Sequence, residues 1–225
     1  MSFINELLFG IYPYIAVTVM LVGGLIRFDR DQYSWKAGSS QMLSDKGMRI
    51  GSNFFHIGII FILAGHVVGL LTPHEVYHHF ISTQNKNLVA MITGGFFGIM
   101  CFIGITILVI RRFTDDRVKA SSSFGDNAIL LMLYAQLILG LSTIVASTQH
   151  LDGSVMIQVA NWAQSIVTFQ PMKAAAAIEH VGIVYKLHVF LGLSILFSVP
   201  FTRLVHVISA PIWYLGRTYQ IVRQK

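Results

Sequence analysis

Hydrophobic positions along this chain gather into five long runs, at Phe3–Ile26, Ile50–Leu71, Leu88–Ile110, Ala128–Ala146 and Val181–Ile208. A helix needs about 20 residues to cross the hydrocarbon layer of a membrane, and each run is close to or beyond that length. The third contains no charged residue. The fifth carries Lys186, Arg203 and histidines toward its ends, and Pro200 is placed to kink it. No internal repeat relates one run to another, which argues against an inverted-repeat transporter. The expected fold is all-α: an integral membrane protein with a five-transmembrane-helix bundle, forming one domain over residues 1–225.

The stretch between the fourth and fifth runs has its own pattern. Val155, Met156, Val159, Trp162, Ala163, Ile166 and Val167 recur at helical spacing, with Gln158, Asn161, Gln164 and Ser165 on the other face. This predicts an amphipathic helix, either lying in the membrane interface or packed over the end of the bundle.

Composition agrees with lipid as the solvent. Hydrophobic residues make up 54% of the 225 positions and charged residues 12%, against about a quarter charged in soluble domains; the mean hydropathy is +0.65. A pI near 9.6 raises the question of nucleic acid, but the basic residues are confined to certain loops, which reads as membrane topology and not as a phosphate-binding groove. Arg27, Arg30, Lys36, Lys46 and Arg49 follow the first run. Arg111, Arg112, Arg117 and Lys119 follow the third, and Arg203, Arg217, Arg223 and Lys225 lie at or beyond the end of the fifth. The other side holds only Lys86, Lys173 and Lys186. Positive charge marks the cytoplasmic side, so the N-terminus is expected outside and the C-terminus in the cytoplasm, as five crossings require. The first ten residues contain Glu6 but neither Lys nor Arg, and are not expected to be a secretory signal. The single cysteine, Cys101, rules out a disulfide framework, a CxxCH haem attachment and an iron–sulfur site within the chain.

Nine histidines carry the candidate chemistry. His74, His78, His79, His150 and His180 lie in or beside loops, where solvated polar residues are the ordinary reading. His56 and His66 fall within the second run, and His188 and His206 within the fifth. Ionisable side chains inside spanning helices are costly and mark function. At the helical rise the first two differ by about 15 Å in height and the second two by about 27 Å, on one face. The runs have opposite directions, so His66 meets His188 toward the outside and His56 meets His206 toward the inside. Two facing pairs suit two bis-histidine haems, with irons about 21 Å apart along the axis; without CxxCH they would be b-type. Gly58, Gly65 and Gly69 flank the second-run pair and would serve either a macrocycle or close helix packing. A proton-coupled transporter with histidine relays would call for Asp or Glu mid-run, and none is present. A bare anchor would need no histidine pairs.

Several segments also carry a family likeness: IYPYIA, SSQML and KGM, SNFFHIGI, GHVVGLLTPH, STQHLDG, WAQSIVTF and YKLHVFLGLSILFSVPFTRLVH. From about Tyr12 to the C-terminus the chain resembles the gamma subunit, the cytochrome b membrane anchor, of membrane-bound respiratory nitrate reductase. QPMKAAAAIEH is its least typical segment. The resemblance implies a subunit of the bacterial inner membrane that binds two b haems, oxidises menaquinol or ubiquinol on the outer side and serves anaerobic nitrate respiration. Electrons would go to an iron–sulfur beta subunit and then to a molybdenum-containing alpha subunit, where nitrate is reduced. It places the outer (distal) haem on His66 and His188 and the inner (proximal) haem on His56 and His206. It matches Lys86 to a basic residue of the quinol pocket, beside Gly65 and His66. The tail, 209–225, with Trp213, Tyr214 and Tyr219, is expected to dock the cytoplasmic partners.

Overall fold

The computed structural model describes residues 3–31, 33, 35, 40, 43–44 and 47–208. The tail expected to dock partners lies outside them. The described residues are helical with no strand, and five helices are long and apolar enough to cross a membrane. In chain order the helices are α1 (Phe3–Arg30), α2 (Met48–Leu71), the short α3 (His74–Tyr77), α4 (Thr83–Thr114), the short α5 (Asp116–Ala120), α6 (Phe124–Ser147), α7 (Ser154–Val167), α8 (Pro171–Ala177), α9 (Ile183–Ser198) and the single turn α10 (Val205–Ile208). The spans are α1, α2, α4, α6 and α9 with its 3₁₀ extension to Phe201.

Contacts at the two ends show that successive spans reverse direction. At one end Arg27, near the close of α1, reaches the turn after α9, and Arg203 lies 3.7 Å from Asp126 at the start of α6. Arg111, near the close of α4, bonds to Ser40 and Ser44 ahead of α2. We call this the arginine end. At the opposite end Gln164 donates to the carbonyl of Leu70, and Asn87 to that of His150. Large apolar side chains such as Ile60, Val68, Ile92 and Val145 stand out from the bundle, as the hydrocarbon of a bilayer allows.

Glycine sets the tightest helix contact, between α2 and α4. A Cβ at Gly58 would stand 2.6 Å from Cβ of Cys101, and one at Gly104 would run into the backbone of Phe55. Small residues bring backbones together where lipid gives no hydrophobic reason for helices to associate. Gly65 and Gly69, on the same helix as Gly58, have nothing within 4 Å of a built Cβ. The glycines of α2 therefore divide between packing and open space.

Two prolines disturb the helical hydrogen bonding of their spans, since proline has no N–H to give, and side chains from elsewhere meet carbonyls left open there. Pro13 follows a π-helical stretch, Leu7–Ile11, and cannot donate to Phe9. Trp162 Nε1 donates to the Phe9 carbonyl instead, at 2.9 Å. This contact, with Tyr14 Oη donating to Ile166 O at 3.0 Å, packs α7 over the end of the bundle, with Trp162 and Ala163 buried. Of the two readings of the amphipathic segment, packing over the bundle is the one found.

Pro200 does more than kink the fifth span. The α-helix stops at Ser198, a 3₁₀ turn occupies Val199–Phe201, and helix resumes at Val205. The rise that gave about 27 Å between His188 and His206 assumed a continuous helix and does not hold across this break. Arg27 Nη1 stabilises the break by donating to the carbonyls of Pro200 at 2.8 Å and Thr202 at 2.9 Å. Gly23 leaves room for the proline ring, since a Cβ there would lie 2.9 Å from Pro200 Cγ.

Candidate functional site

Helix α2 carries His56 and His66, α9 carries His188, and the turn α10 beyond the Pro200 break carries His206. Helices α2 and α9 are not each other's main packing partner, since α2 packs chiefly on α4, and α9 on α6 and α1. The imidazoles meet across the space between them. His66 and His188 have ring centres 6.1 Å apart with planes inclined 39°. His56 and His206 have ring centres 6.5 Å apart with planes inclined 62°. The first pair lies toward the opposite end of the bundle and the second toward the arginine end. Both pairings expected from the sequence are present, including the one that crosses the break at Pro200.

The ring spacing has a chemical meaning. A metal–imidazole bond of about 2 Å, plus about 1 Å from nitrogen to ring centre, gives about 6 Å between two rings on opposite sides of one ion. Tautomer points the same way. Nδ1 of His56 is 2.7 Å from Ser52 O, Nδ1 of His66 is 2.7 Å from Ile62 O, and Nδ1 of His206 is 2.6 Å from Arg203 O. A proton on Nδ1, donated to a carbonyl, leaves Nε2 as the lone-pair nitrogen of a metal ligand.

His188 is held differently. A Cβ at Gly140 would stand 3.0 Å from its Cε1, so glycine on α6 is what admits the ring. Gln136 Nε2 donates to the His188 carbonyl at 3.0 Å. Its Nδ1 is buried without a hydrogen-bond partner among the described residues.

Each pair supplies two donors and no more: among the described residues no group of three or more His, Cys, Asp or Glu could hold a metal ion. A bare ion such as zinc would want four protein or water ligands. Two opposed imidazoles fit an ion whose other four positions are already filled by a macrocycle, the bis-histidine arrangement of a haem iron. The space at Gly65 and Gly69 lies beside His66, and a cavity of about 430 Å³ lined by Met48, Arg49, Ser52 and Asn53 lies one turn from His56. The spacing and tautomers of the donors fit a haem iron at each pair.

Lys86 stands in the first turn of α4, at the same end as His66 and His188. No atom of Lys86 lies within 4 Å of where a Cβ on Gly65 would stand. The Lys86 Nζ is buried without a hydrogen-bond partner among the described residues and lies 3.7 Å from the centre of the Tyr77 ring. Of the loop histidines, His74 and His78 stack at 4.8 Å, and His150 and His180 line a second cavity of about 410 Å³ with Gln158 and Tyr185. Reading the sequence missed Arg27, Gln136, Gly140 and Tyr77. For Arg27 a signal existed, because a proline inside a span frees carbonyls that some donor must meet.

Comparison with known proteins shows the family. The family model described as nitrate reductase gamma subunit matches residues 5–225. The chain is 45% identical to the respiratory nitrate reductase 1 gamma chain of Escherichia coli (strain K12), covering 100% of both chains. It is 47% identical to the respiratory nitrate reductase 2 gamma chain of the same organism, over 100% of this chain and 99% of that one. With the nitrate reductase gamma chain of Bacillus subtilis (strain 168) the identity is 35%, over 98% and 99%. A five-span bundle with paired histidines, matched from end to end by these relatives, belongs to the nitrate reductase gamma subunit family, the membrane subunit of respiratory nitrate reductase.

Proposed function

We propose that this chain is the dihaem, quinol-oxidising subunit of its complex, passing electrons across the membrane to nitrate-reducing partners. The observation that carries the reading is the pair of imidazole couples, 6.1 and 6.5 Å between ring centres, with His56 and His66 on α2 facing His206 on α10 and His188 on α9. His66 and His188 would hold the outer b haem, and His56 and His206 the inner one. When bound, the two haems supply one-electron carriers at these two depths.

The chain's own residues bind and orient the substrate. Lys86 offers an ammonium to the quinol headgroup, favouring the oxygen that gains negative charge as its proton leaves. Gly65, with no side chain, lets the headgroup come close to the His66 site. Positive charge at the arginine end faces that end to the cytoplasm of a bacterial inner membrane. Quinol protons then leave on the outer side while nitrate consumes protons inside, so turnover charges the membrane. The iron–sulfur beta subunit and the molybdenum-containing alpha subunit would dock at the arginine end, with 209–225 taking part.

The test is haem content and redox titration of the assembled complex in membranes. His66→Tyr and His188→Tyr should each remove one haem, and the same one. His56→Arg and His206→Tyr should each remove the other. Four variants that all keep two haems at unchanged potentials would overturn the assignment.

A further inference from the structure

We propose that Tyr77 is a positioning residue for Lys86: its ring face holds the ammonium away from water with its hydrogens unclaimed, ready for a ligand oxygen. The proposal rests on the reading of Lys86 as the quinol contact. A lysine at a membrane boundary ordinarily snorkels, keeping its stem in apolar surroundings and its charge in water. Lys86 does not, since Nζ is buried. An ammonium is compact and strongly hydrated, and burying one without a partner is costly. The group that meets it is aromatic, the Tyr77 ring at 3.7 Å. Attraction between a cation and a ring face strengthens when both are desolvated.

The choice of partner matters chemically. A carboxylate in this place would take the ammonium's hydrogens and cancel its charge. A ring face steadies the charge and leaves the hydrogens free. Nζ correspondingly has no hydrogen-bond acceptor among the described residues. The ring is itself well fixed. Tyr77 is 8% exposed, its hydroxyl lies 3.3 Å from Thr83 Oγ1, and His74 meets the ring at 5.2 Å and 75°. The Tyr77 carbonyl accepts from the N–H groups of Phe80 and Ile81, so the connection into α4 is tied to the same residue. Asn87, next to Lys86, donates to the His150 carbonyl at 3.4 Å and fastens the start of α4 to the loop after α6.

The experiment uses the assembled complex in membranes with a short-chain menaquinol, following KM, the rate of haem reduction and haem content together. Tyr77→Leu should raise KM about ten-fold with haem content unchanged, the scale of one desolvated cation–ring contact. Tyr77→Phe, which keeps the ring, should stay within about two-fold of the parent. In a Lys86→Ala background, Tyr77→Leu should have no further effect, because the two act as one unit. Fluorinated phenylalanines at position 77 weaken the ring face at nearly constant size, so KM should climb with fluorine count even if the leucine variant assembles poorly. A flat response to fluorination, or an undiminished effect of Tyr77→Leu without Lys86, would overturn the proposal. If Lys86→Ala itself leaves KM and rate unchanged, the quinol reading of Lys86 falls first and takes this one with it.

Discussion

At the arginine end, cations are spent on structure. Arg27 gives its guanidinium to the carbonyls of Pro200 and Thr202, and Arg111, 8% exposed, commits both terminal nitrogens to Ser40 and Ser44. Arg112 donates to Ser122 Oγ at 2.8 Å, and Arg203 lies against Asp126. At the opposite end the Lys86 Nζ is buried as well, but it lies over the Tyr77 ring and donates to nothing among the described residues. Side-chain chemistry accounts for the division of labour. Arginine's planar fork suits several carbonyls at once, whereas lysine is a point charge whose three hydrogens can turn to meet an arriving oxygen. Arg111 uses its terminal donors to close the backbone, with only Nε left without a partner among the described residues. A buried cation with its donors unused costs stability, and that cost makes sense where a ligand binds.

The largest effect should come from breaking the structural side of this contrast. Arg27→Leu strands the carbonyls at the Pro200 break, at about 1–3 kcal/mol for each unsatisfied group. It should therefore displace His206. Redox titration is expected to lose or shift the component held by His56 and His206 while the His66 and His188 component stays. Equal loss of both would show that Arg27 supports the whole bundle and not this turn.

Lys86→Ala should act on turnover instead. Quinol-driven haem reduction is expected to fall about ten-fold or more, on the scale of lost electrostatic stabilisation. Haem content and nitrate reduction from a soluble dye donor should be retained. A clear drop in the thermal midpoint of the complex, comparable to that of Arg27→Leu, would place Lys86 among the structural cations.

The smallest effect sharpens the comparison with a feature the two ends share. Asp115 caps α5, accepting from the N–H groups of Arg117 and Val118, and Asp152 accepts from Ser154 ahead of α7. The Ser44 hydroxyl, then the Val118 N–H, hold the Asp115 carboxyl below the usual range; for Asp152 the Ser154 N–H leads. A carboxyl depressed in the folded state stabilises above its ordinary pKa, about 3.9, and that contribution is lost as pH falls through the lower folded value. The protection of the Val118 amide relative to its intrinsic exchange rate should fall on such acidification, and Asp115→Asn should remove that pH dependence. Because both ends use this device, the contrast between them is confined to the cations.

The number of spans, their alternation and the histidine pairings were legible in the sequence. Run lengths set five spans, and opposite directions paired His66 with His188 and His56 with His206. What stayed hidden was which neighbour closes each contact. Leucine facing lipid and leucine facing a helix look alike, because lipid tails are as apolar as a core. The packed Gly58 and the open Gly65 were indistinguishable for the same reason. Pro200 was visible, but rise arithmetic treats a helix as unbroken, and the donor that rescues the break comes from a residue 173 positions away. Trp162 on Phe9 O, 153 positions apart, is the same kind of contact. Tyr77 and Lys86 are close in sequence, yet their meeting depends on how the short connection between α3 and α4 turns.

The break after Ser198 has a bearing on how such a protein can evolve. Inserting one residue in a continuous helix rotates everything beyond it by about 100°, which would swing a distant histidine off its partner. His206 is separated from His188 by a 3₁₀ turn and a bend. A change of length between 199 and 204 would leave α9 and His188 where they are, but it would have to keep the Arg27 contacts to Pro200 and Thr202 for His206 to stay opposite His56. The spacing between the two sites thus rests on a turn fastened by one guanidinium, and not on helical register alone.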